Sequence, residues 1–408
     1  MNYELQVLVA TPSHSGIAGP LTYHSEAPLS PGTLVRVPLG RREVLAVVWD
    51  PASASLDMPP ENIRAIAGVL DGLAPLSANW RQLVTFTSGY YQRSLGEVAV
   101  AALPPQLRDL TALQLGRRLK RPTLDTSSAE NTTDLIALSA QQASVIAEFD
   151  AESSGAQRPA LLYGATGSGK TEVYLRAAAR VLAQDAQAQV LVMVPEINLT
   201  PQLQARFEAR FAHLGRERVV PMHSGLTPAQ RLKSWLAAHS GQARLVLGTR
   251  MAVLASMPNL RLLVVDEEHD PSYKQQEGAR YSARDLAVYR ARLESLINDG
   301  DAKAQFSDGP PLGKLTPPGG SEAHEVTSVG ARTCRVLLGS ATPSLESWQA
   351  TLSGRYQLLT MSERVGAEGL AGAGSLPTVR RIDMNHQPRH CVIAPPLLAA
   401  VAERVARG

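Results

Sequence analysis

Cysteine is scarce in this chain: two among 408 residues, Cys334 and Cys391, far apart and unaccompanied. That excludes a disulfide scaffold and any Cys-x-x-Cys zinc pattern, and it fits a reducing compartment. Aromatic residues make up only 5% of the chain and charged residues 19%, with a net charge of +3. So small a charge does not announce nucleic-acid binding, and any basic surface must be local. No apolar run is long enough to cross a bilayer, which predicts no membrane partner. The opening MNYELQVLVATPS has neither a basic n-region nor a cleavage motif, which predicts a cytoplasmic rather than a secreted chain. What is present is a hydrophobic content of 44%, ordinary for a globular protein, in a length that accommodates two or three domains.

The texture changes along the chain. LQVLVATP, TLVRVPLG and EVLAVVWD read as short strands separated by Pro, Gly and Ser, predicting a small β-rich region over 1–50. PASASLDMPPEN (51–62) reads as a loop and 63–103 as mainly helical. From Pro104 to about Leu138 periodicity dissolves, and GRRLKRPTLDTSSAENTTD reads as a linker whose basic run, 117–121, is a solvated stretch. Beyond it, the apolar runs ALLYG, VLVMVP, RLVLGT, LLVVDEE and RVLLGS alternate with helical stretches. That pattern predicts an α/β fold with a parallel sheet buried on both faces. Thr200-Pro201, Thr227-Pro228 and Thr342-Pro343 each place an N-cap threonine before a proline suited to the first helical turn. Thr227 with Gln230 makes a capping box, and Ser282 with Asp285 predicts another helix start. Residues 300–330, rich in Gly, Pro and Ser without periodicity, read as a disordered insertion.

GATGSGKT (164–171) lies between the ALLYG strand and a helical stretch, the context in which a phosphate loop is meaningful. Gly164, Thr166, Gly167, Ser168 and Gly169 supply backbone N–H groups that turn inward on an anion. Lys170 reaches the β- and γ-phosphates, and the Thr171 hydroxyl is a magnesium ligand. Alone the motif predicts nucleoside-triphosphate binding and fits a small-molecule kinase equally well. LLVVDEE adds two adjacent carboxylates at the carboxyl end of a buried strand, where such sheets bind ligands. Asp266 suits the magnesium shell and Glu267 the attacking water, the two being predicted catalytic together with Lys170. Glu268 reads as structural. His269 either links the nucleotide site to the next motif or caps a turn, and Ser340 and Thr342 of GSATPS offer hydroxyls beside the carboxylates.

Taken together, GATGSGKT, VPEINLTPQ (194–202), GTR (248–250), DEEH (266–269) and GSATPS resemble the first five motifs of superfamily 2 helicases. EINLTPQ, MHSGLT, DEEHDPSYKQQEGARYSARDLA and LGSATPSLES are similar, as a combination, to the PriA family of bacterial replication-restart DNA helicases, densely from 138 to about 360. The resemblance implies a RecA-like P-loop NTPase lobe with a parallel β-sheet, preceded by a small β-rich domain that captures the 3′ end of DNA at a fork. It implies ATP as substrate, magnesium as cofactor, and 3′→5′ unwinding. Forks, single-stranded DNA, primosome proteins and single-stranded-DNA-binding protein are the implied partners, at the nucleoid. Gln142 is implied to read adenine, and Thr249 and Arg250 to contact the DNA backbone. In the loop after DEEH, Tyr273 and Tyr281 either stack on unpaired bases or pack into the sheet's edge, while Lys274, Arg280 and Arg284 meet phosphates. His269, Ser340 and Thr342 couple the two. PGTLVRVPLG and VAVAALPPQLR resemble the 3′-end domain, although Thr22 stands where the family has an aspartate before Tyr23, which weakens or alters end recognition.

The implied layout is a 3′-end domain over 1–105, a linker over 106–137 with the family's winged helix absent or vestigial, a lobe over 138–354, and a connector over 355–408. The second lobe, with its arginine finger and the family's zinc-binding cysteines, is expected outside these residues. Loss of the trans-cleft arginine is expected to cost about 10³-fold or more in rate. The competing readings are a fork-binding protein without unwinding activity, and another superfamily 2 helicase or P-loop enzyme.

Overall fold

The computed structural model describes residues 2–11, 19–50, 63–110, 114–116, 137–151, 158–215, 218–296, 333–363, 381–388 and 391–407. The loop at 51–62, the basic run 117–121 and the insertion 300–330 lie outside the described residues, as does most of the 106–137 linker.

The N-terminal region is a sheet of six strands: β1 (Tyr3–Val9), β2 (Leu21–Ser25), β3 (Leu34–Leu39), β4 (Arg42–Val48), β5 (Arg64–Ala65) and β6 (Gly68–Val69), in the order β5-β2-β1-β4-β3-β6. Pairing is antiparallel throughout except between β2 and β5. Gly40, at φ +63°, makes the two-residue turn between β3 and β4, where Leu39 faces Arg42. Both faces of this sheet are covered. Leu8, Leu34, Leu45 and Val47 point to one apolar cluster, and Val7, Val35, Ala46 and Val48 to another. That double burial explains why EVLAVVWD is a nearly unbroken apolar run instead of a strict alternation. The expected helical segment over 63–103 begins with β5 and β6. Helices α1 (Ala78–Tyr90) and α2 (Leu95–Ala101) follow, capped by Ser77 and Ser94.

The chain order continues with α3 (Pro105–Asp109), α4 (Ala140–Ala151), β7 (Ala160–Gly164), α5 (Lys170–Gln184), β8 (Gln189–Met193), α6 (Pro201–Arg210), β9 (Val219–Met222), α7 (Pro228–His239), β10 (Leu245–Gly248), β11 (Leu260–Val265), α8 (Ala283–Leu296), β12 (Arg335–Ser340), α9 (Leu345–Leu352) and β13 (Gln357–Met361). The seven strands form one parallel sheet, ordered β13-β7-β12-β11-β8-β10-β9. Successive residues alternate between two buried layers: Leu191 and Met193 face one, Val190 and Val192 the other. The five apolar runs named from the sequence are strands of this sheet.

Three boundaries differ from expectation. β13 is an edge strand of the sheet, paired in parallel with β7, so the lobe extends past residue 354. The start of the expected linker is not a linker, because α3, Leu110 after it and the helical residues 114–116 bury Leu107, Leu110 and Leu115. Thr342 is not an N-cap: Ser344 caps α9, accepting from the Ser347 N–H. Thr200 and Thr227 do cap α6 and α7, the latter with its full capping box.

The N-terminal region and the lobe share a core in which Trp80 and Leu83 join Leu254 and Leu263. The Trp80 indole donates to the Leu254 carbonyl at 2.7 Å. His239 stacks on Trp235 at 4.8 Å, and its two ring nitrogens lie 2.9 Å from Ser256 Oγ and 2.9 Å from the Ala74 carbonyl. A carbonyl only accepts, so Nε2 carries the proton and Nδ1 accepts from Ser256. Residues Met1–Ser362 are one compact unit and Glu363–Gly408 a second. The second contains α10 (Pro395–Ala406), begun by Pro395 and Pro396, whose Leu398, Val401 and Val405 are exposed.

Candidate nucleotide site and nucleic-acid interface

β7 delivers the phosphate loop, and α5 begins at Lys170. Gly167 and Gly169 both adopt φ +84°, which turns successive N–H groups to one side. Gly164 is required by space: a Cβ there would lie 2.8 Å from Ser168 Oγ and 3.1 Å from Met361 Cβ. Ser168 is buried and its Oγ has no partner. Lys170 folds back onto the loop, donating to the Gly164 carbonyl at 2.9 Å, with Glu267 Oε1 3.7 Å away. Gln142 is buried, not exposed. Its Oε1 accepts from the Ser139 N–H at 2.9 Å and its Nε2 donates to the Gly169 carbonyl at 3.4 Å, so its amide braces the loop. Thr166 and Gly167 are exposed and Thr171 is half-buried.

β11 ends at Val265 and presents Asp266 beside α5. Asp266 Oδ1 accepts from the Tyr174 hydroxyl at 2.9 Å. Burial pushes its pKa up to about 6; the Glu267 charge adds to this, while the Tyr174 hydrogen bond and Lys170 oppose it. Tyr174 was not foreseen. Its hydroxyl reaches Asp266 only because residue 339 is glycine: a Cβ there would sit 1.6 Å from that hydroxyl. A glycine inside the buried RVLLGS run was the available signal, since it marks a close approach.

Glu267 adopts φ +46°, a left-handed conformation uncommon for a non-glycine residue. Glu267 turns toward Lys170, while Glu268 turns into the core with a fully buried side chain. Glu268 accepts from the Ser344 N–H at 2.7 Å, Ser347 Oγ at 2.9 Å, Ser344 Oγ at 3.1 Å and Arg284 at 3.2 Å. His269 bridges the motifs. Its Nδ1 is 2.8 Å from Ser340 Oγ and 3.7 Å from Glu267 Oε2, and its Nε2 is 3.3 Å from Thr342 Oγ1. Lys170, Glu267, His269, Ser340 and Thr342 therefore form one chain of polar contacts.

The expected DNA contacts divide. Arg250, partly exposed, donates to the Ser272 carbonyl at 3.0 Å and lies 3.8 Å from Glu196, so GTR, the PEIN segment and the loop after DEEH meet there. Thr249 is buried, with its Oγ1 unpartnered. Lys274 and Arg280 are exposed. Three residues correct the expectation. Tyr273 is 2% exposed and its hydroxyl donates to the Asp266 carbonyl at 2.7 Å and the Met193 carbonyl at 3.0 Å. Tyr281 is 8% exposed, and burial pushes its pKa up to about 12. Neither ring offers a face to a base. Arg284 is committed to Asp285 at 2.8 Å, to Glu268 and to Ser344. Ser282 caps α8 through the Asp285 N–H at 3.3 Å.

The family described as DEAD/DEAH box helicase matches residues 139–350, and the PriA 3′DNA-binding domain (3′BD) matches residues 6–104. The chain belongs to the PriA group of DEAD/DEAH box helicases. Replication restart protein PriA of Haemophilus influenzae (strain ATCC 51907 / DSM 11121 / KW20 / Rd) is 31% identical over 447 residues, covering 92% of this chain and 54% of that protein. PriA of Bacillus subtilis (strain 168) is 35% identical over 251 residues, covering 61% of this chain and 25% of that protein. PriA of Treponema pallidum (strain Nichols) is 30% identical over 362 residues, covering 87% and 45%. The chain thus spans about half the length of these PriA relatives, or less. The helicase match carries with it ATP and magnesium use as a family property. Among the described residues no helix is long and apolar enough to cross a membrane, and no three His, Cys, Asp or Glu side chains gather as a metal cage.

Proposed function

We propose that this chain is the DNA-capturing and nucleotide-binding portion of an ATP-dependent DNA helicase that restarts replication at branched DNA, unwinding 3′→5′. The observation that carries this reading is the contact chain Lys170–Glu267–His269–Ser340/Thr342. It joins a phosphate loop to a second strand end, as a machine coupling hydrolysis to movement requires and a small-molecule kinase does not.

The residues fit a magnesium nucleotide. Gly167, Ser168 and Gly169 line an anion nest with an orphaned Ser168 hydroxyl, and Thr171 and Asp266 are the oxygen donors that would hold Mg²⁺ alongside phosphate oxygens. Bound magnesium neutralises phosphate charge. Lys170 exchanges the Gly164 carbonyl for phosphate oxygens, and Glu267 orients and deprotonates the attacking water. Tyr174 holds Asp266 in place. Arg250, Lys274 and Arg280 meet DNA phosphates, and His269 passes a change at the loop after DEEH to Ser340. In the N-terminal region Thr22, whose Oγ1 accepts from Gln6 at 3.2 Å, brings no charge to the 3′-end pocket, so end discrimination is weaker than an aspartate would give. Primosome proteins and single-stranded-DNA-binding protein are the proposed protein partners, and the nucleoid-associated cytoplasm is the proposed setting.

The described residues contain one parallel sheet of the RecA-like kind, one wall of a nucleotide cleft. The 408-residue chain alone is therefore expected to bind forked DNA and ATP but to hydrolyse ATP slowly. Purified chain would be assayed for fork binding and for DNA-stimulated hydrolysis. Robust turnover abolished by Lys170→Ala would overturn the need for a second wall, and absence of fork binding would overturn the reading itself.

A further inference from the structure

The tyrosines expected to stack on bases are buried, but an aromatic surface lies close beside them. Phe86 and Tyr90, one turn apart on α1, have ring centroids 5.4 Å apart and planes 23° from parallel. Tyr289 of α8 stacks on Phe86 at 3.7 Å and 18°. Tyr91 meets Tyr90 edge-on at 4.9 Å and 72°. Four rings, three from the N-terminal region and one from the lobe, make a continuous ladder in a chain where aromatics are only 5% of residues. Core packing accounts for the inner rings but not for the outer one, because Tyr90 is 68% exposed.

Cations flank the ladder. Lys274 Nζ lies 5.3 Å from the Tyr91 ring centre, and the exposed Arg292 acts electrostatically on the Tyr289 hydroxyl. Asp285, the acid that acts on the Tyr91 hydroxyl, is paired with Arg284 at 2.8 Å. The ladder also touches the loop after DEEH: the Tyr91 hydroxyl accepts from the Ser282 N–H at 3.0 Å, and Ser282 bridges to Lys274. An exposed aromatic ring between exposed cations suits a ligand with flat π faces and regularly spaced phosphates. Single-stranded DNA has both; a duplex hides its base faces.

We propose that the outer face of Tyr90 is a stacking platform for unpaired bases of single-stranded DNA, with Lys274 and Arg292 holding the neighbouring phosphates. An unstacked base continues the ladder Tyr289–Phe86–Tyr90. This rests on the reading of the chain as a DNA motor and adds a site that the loop tyrosines cannot supply.

The test uses the full chain, fluorescein-labelled oligo(dT), a blunt duplex and a forked duplex, with Tyr90→Ala and Tyr90→Trp. Tyr90→Ala is expected to weaken oligo(dT) binding by about 5- to 150-fold, the loss of one base–aromatic stack. Tyr90→Trp is expected to restore it, and blunt-duplex and fluorescent-ATP-analogue binding to stay at wild-type levels. If Tyr90→Ala binds oligo(dT) as tightly as wild type while wild type binds the fork, the platform is refuted and the functional reading stands. Equal losses on oligo(dT) and blunt duplex refute stacking as well. If wild type binds no DNA at all, both fall.

Discussion

The end of β11 and the loop that follows it are adjacent in the chain and opposite in character. Asp266 and Glu267 stand just past the carboxyl end of the sheet's central strand, with Glu267 in a left-handed backbone, a raised Asp266 carboxyl pKa and a lysine within reach. A few residues on, Tyr273, Tyr281 and Arg284 are folded into the interior or committed to hydrogen bonds and ion pairs. The change of direction happens within one peptide: Glu267 turns toward Lys170 and His269, and Glu268 turns into the core. Chemical type alone does not separate the two glutamates. The left-handed turn at Glu267 does.

The sharpest way to break this comparison is to exchange the two glutamates' expected phenotypes. Glu268→Ala leaves Arg284 and three donors without their buried carboxylate. It is expected to destabilise the chain by about 3–5 kcal/mol in urea unfolding, whereas Glu267→Gln should change stability by less than about 0.5 kcal/mol. Equal effects would mean that both glutamates face the same environment. Next in size, Lys170→Ala removes the ammonium proposed to meet the phosphates and is expected to weaken binding of a fluorescent ATP analogue by about 10- to 100-fold. Unfolding stability, measured in parallel, should hold. Tyr273→Phe deletes one hydroxyl that serves two buried carbonyls, with an expected cost of about 1–2 kcal/mol. A neutral result would show that those carbonyls are not held by this side chain.

The smallest effect concerns the junction between the N-terminal region and the lobe. Burial lowers the His239 pKa below its usual 6.5, with the Ala74 carbonyl opposing. The unfolded chain therefore takes up more protons than the folded one below that value. Stability present above pH 6.5 is lost as pH falls through the folded-state pKa. Urea midpoints measured downward from neutral pH should show this slope in wild type and a shallower one in His239→Gln; identical slopes would place the titrating group elsewhere.

Much of the lobe was legible because its strands are apolar runs bounded by turn residues, and because the phosphate loop and DEEH follow strands directly. The capping threonines at 200 and 227 were legible for the same local reason, whereas Thr342 was not: its hydroxyl turns to His269 and Ser344 takes the cap. β2, β5, β6, β9 and β13 were missed as strands. Two of these are only two residues long, and β13 follows a segment read as a connector. Burial of Tyr273 and Tyr281 is a tertiary property that the loop's polar composition conceals. The Tyr174–Asp266 contact depends on Gly339, distant in sequence, and the Phe86–Tyr289 stack joins two helices about half the chain apart.

Paired titration of one preparation of the full chain, with a fluorescent ATP analogue and with a labelled fork, tests the central claim most directly. The account holds that nucleotide and DNA occupy separate neighbouring surfaces. Wild type should bind both, Lys170→Ala should lose the nucleotide while keeping the fork, and Tyr90→Ala should keep the nucleotide. Loss of both ligands in a stably folded Lys170→Ala chain would contradict it.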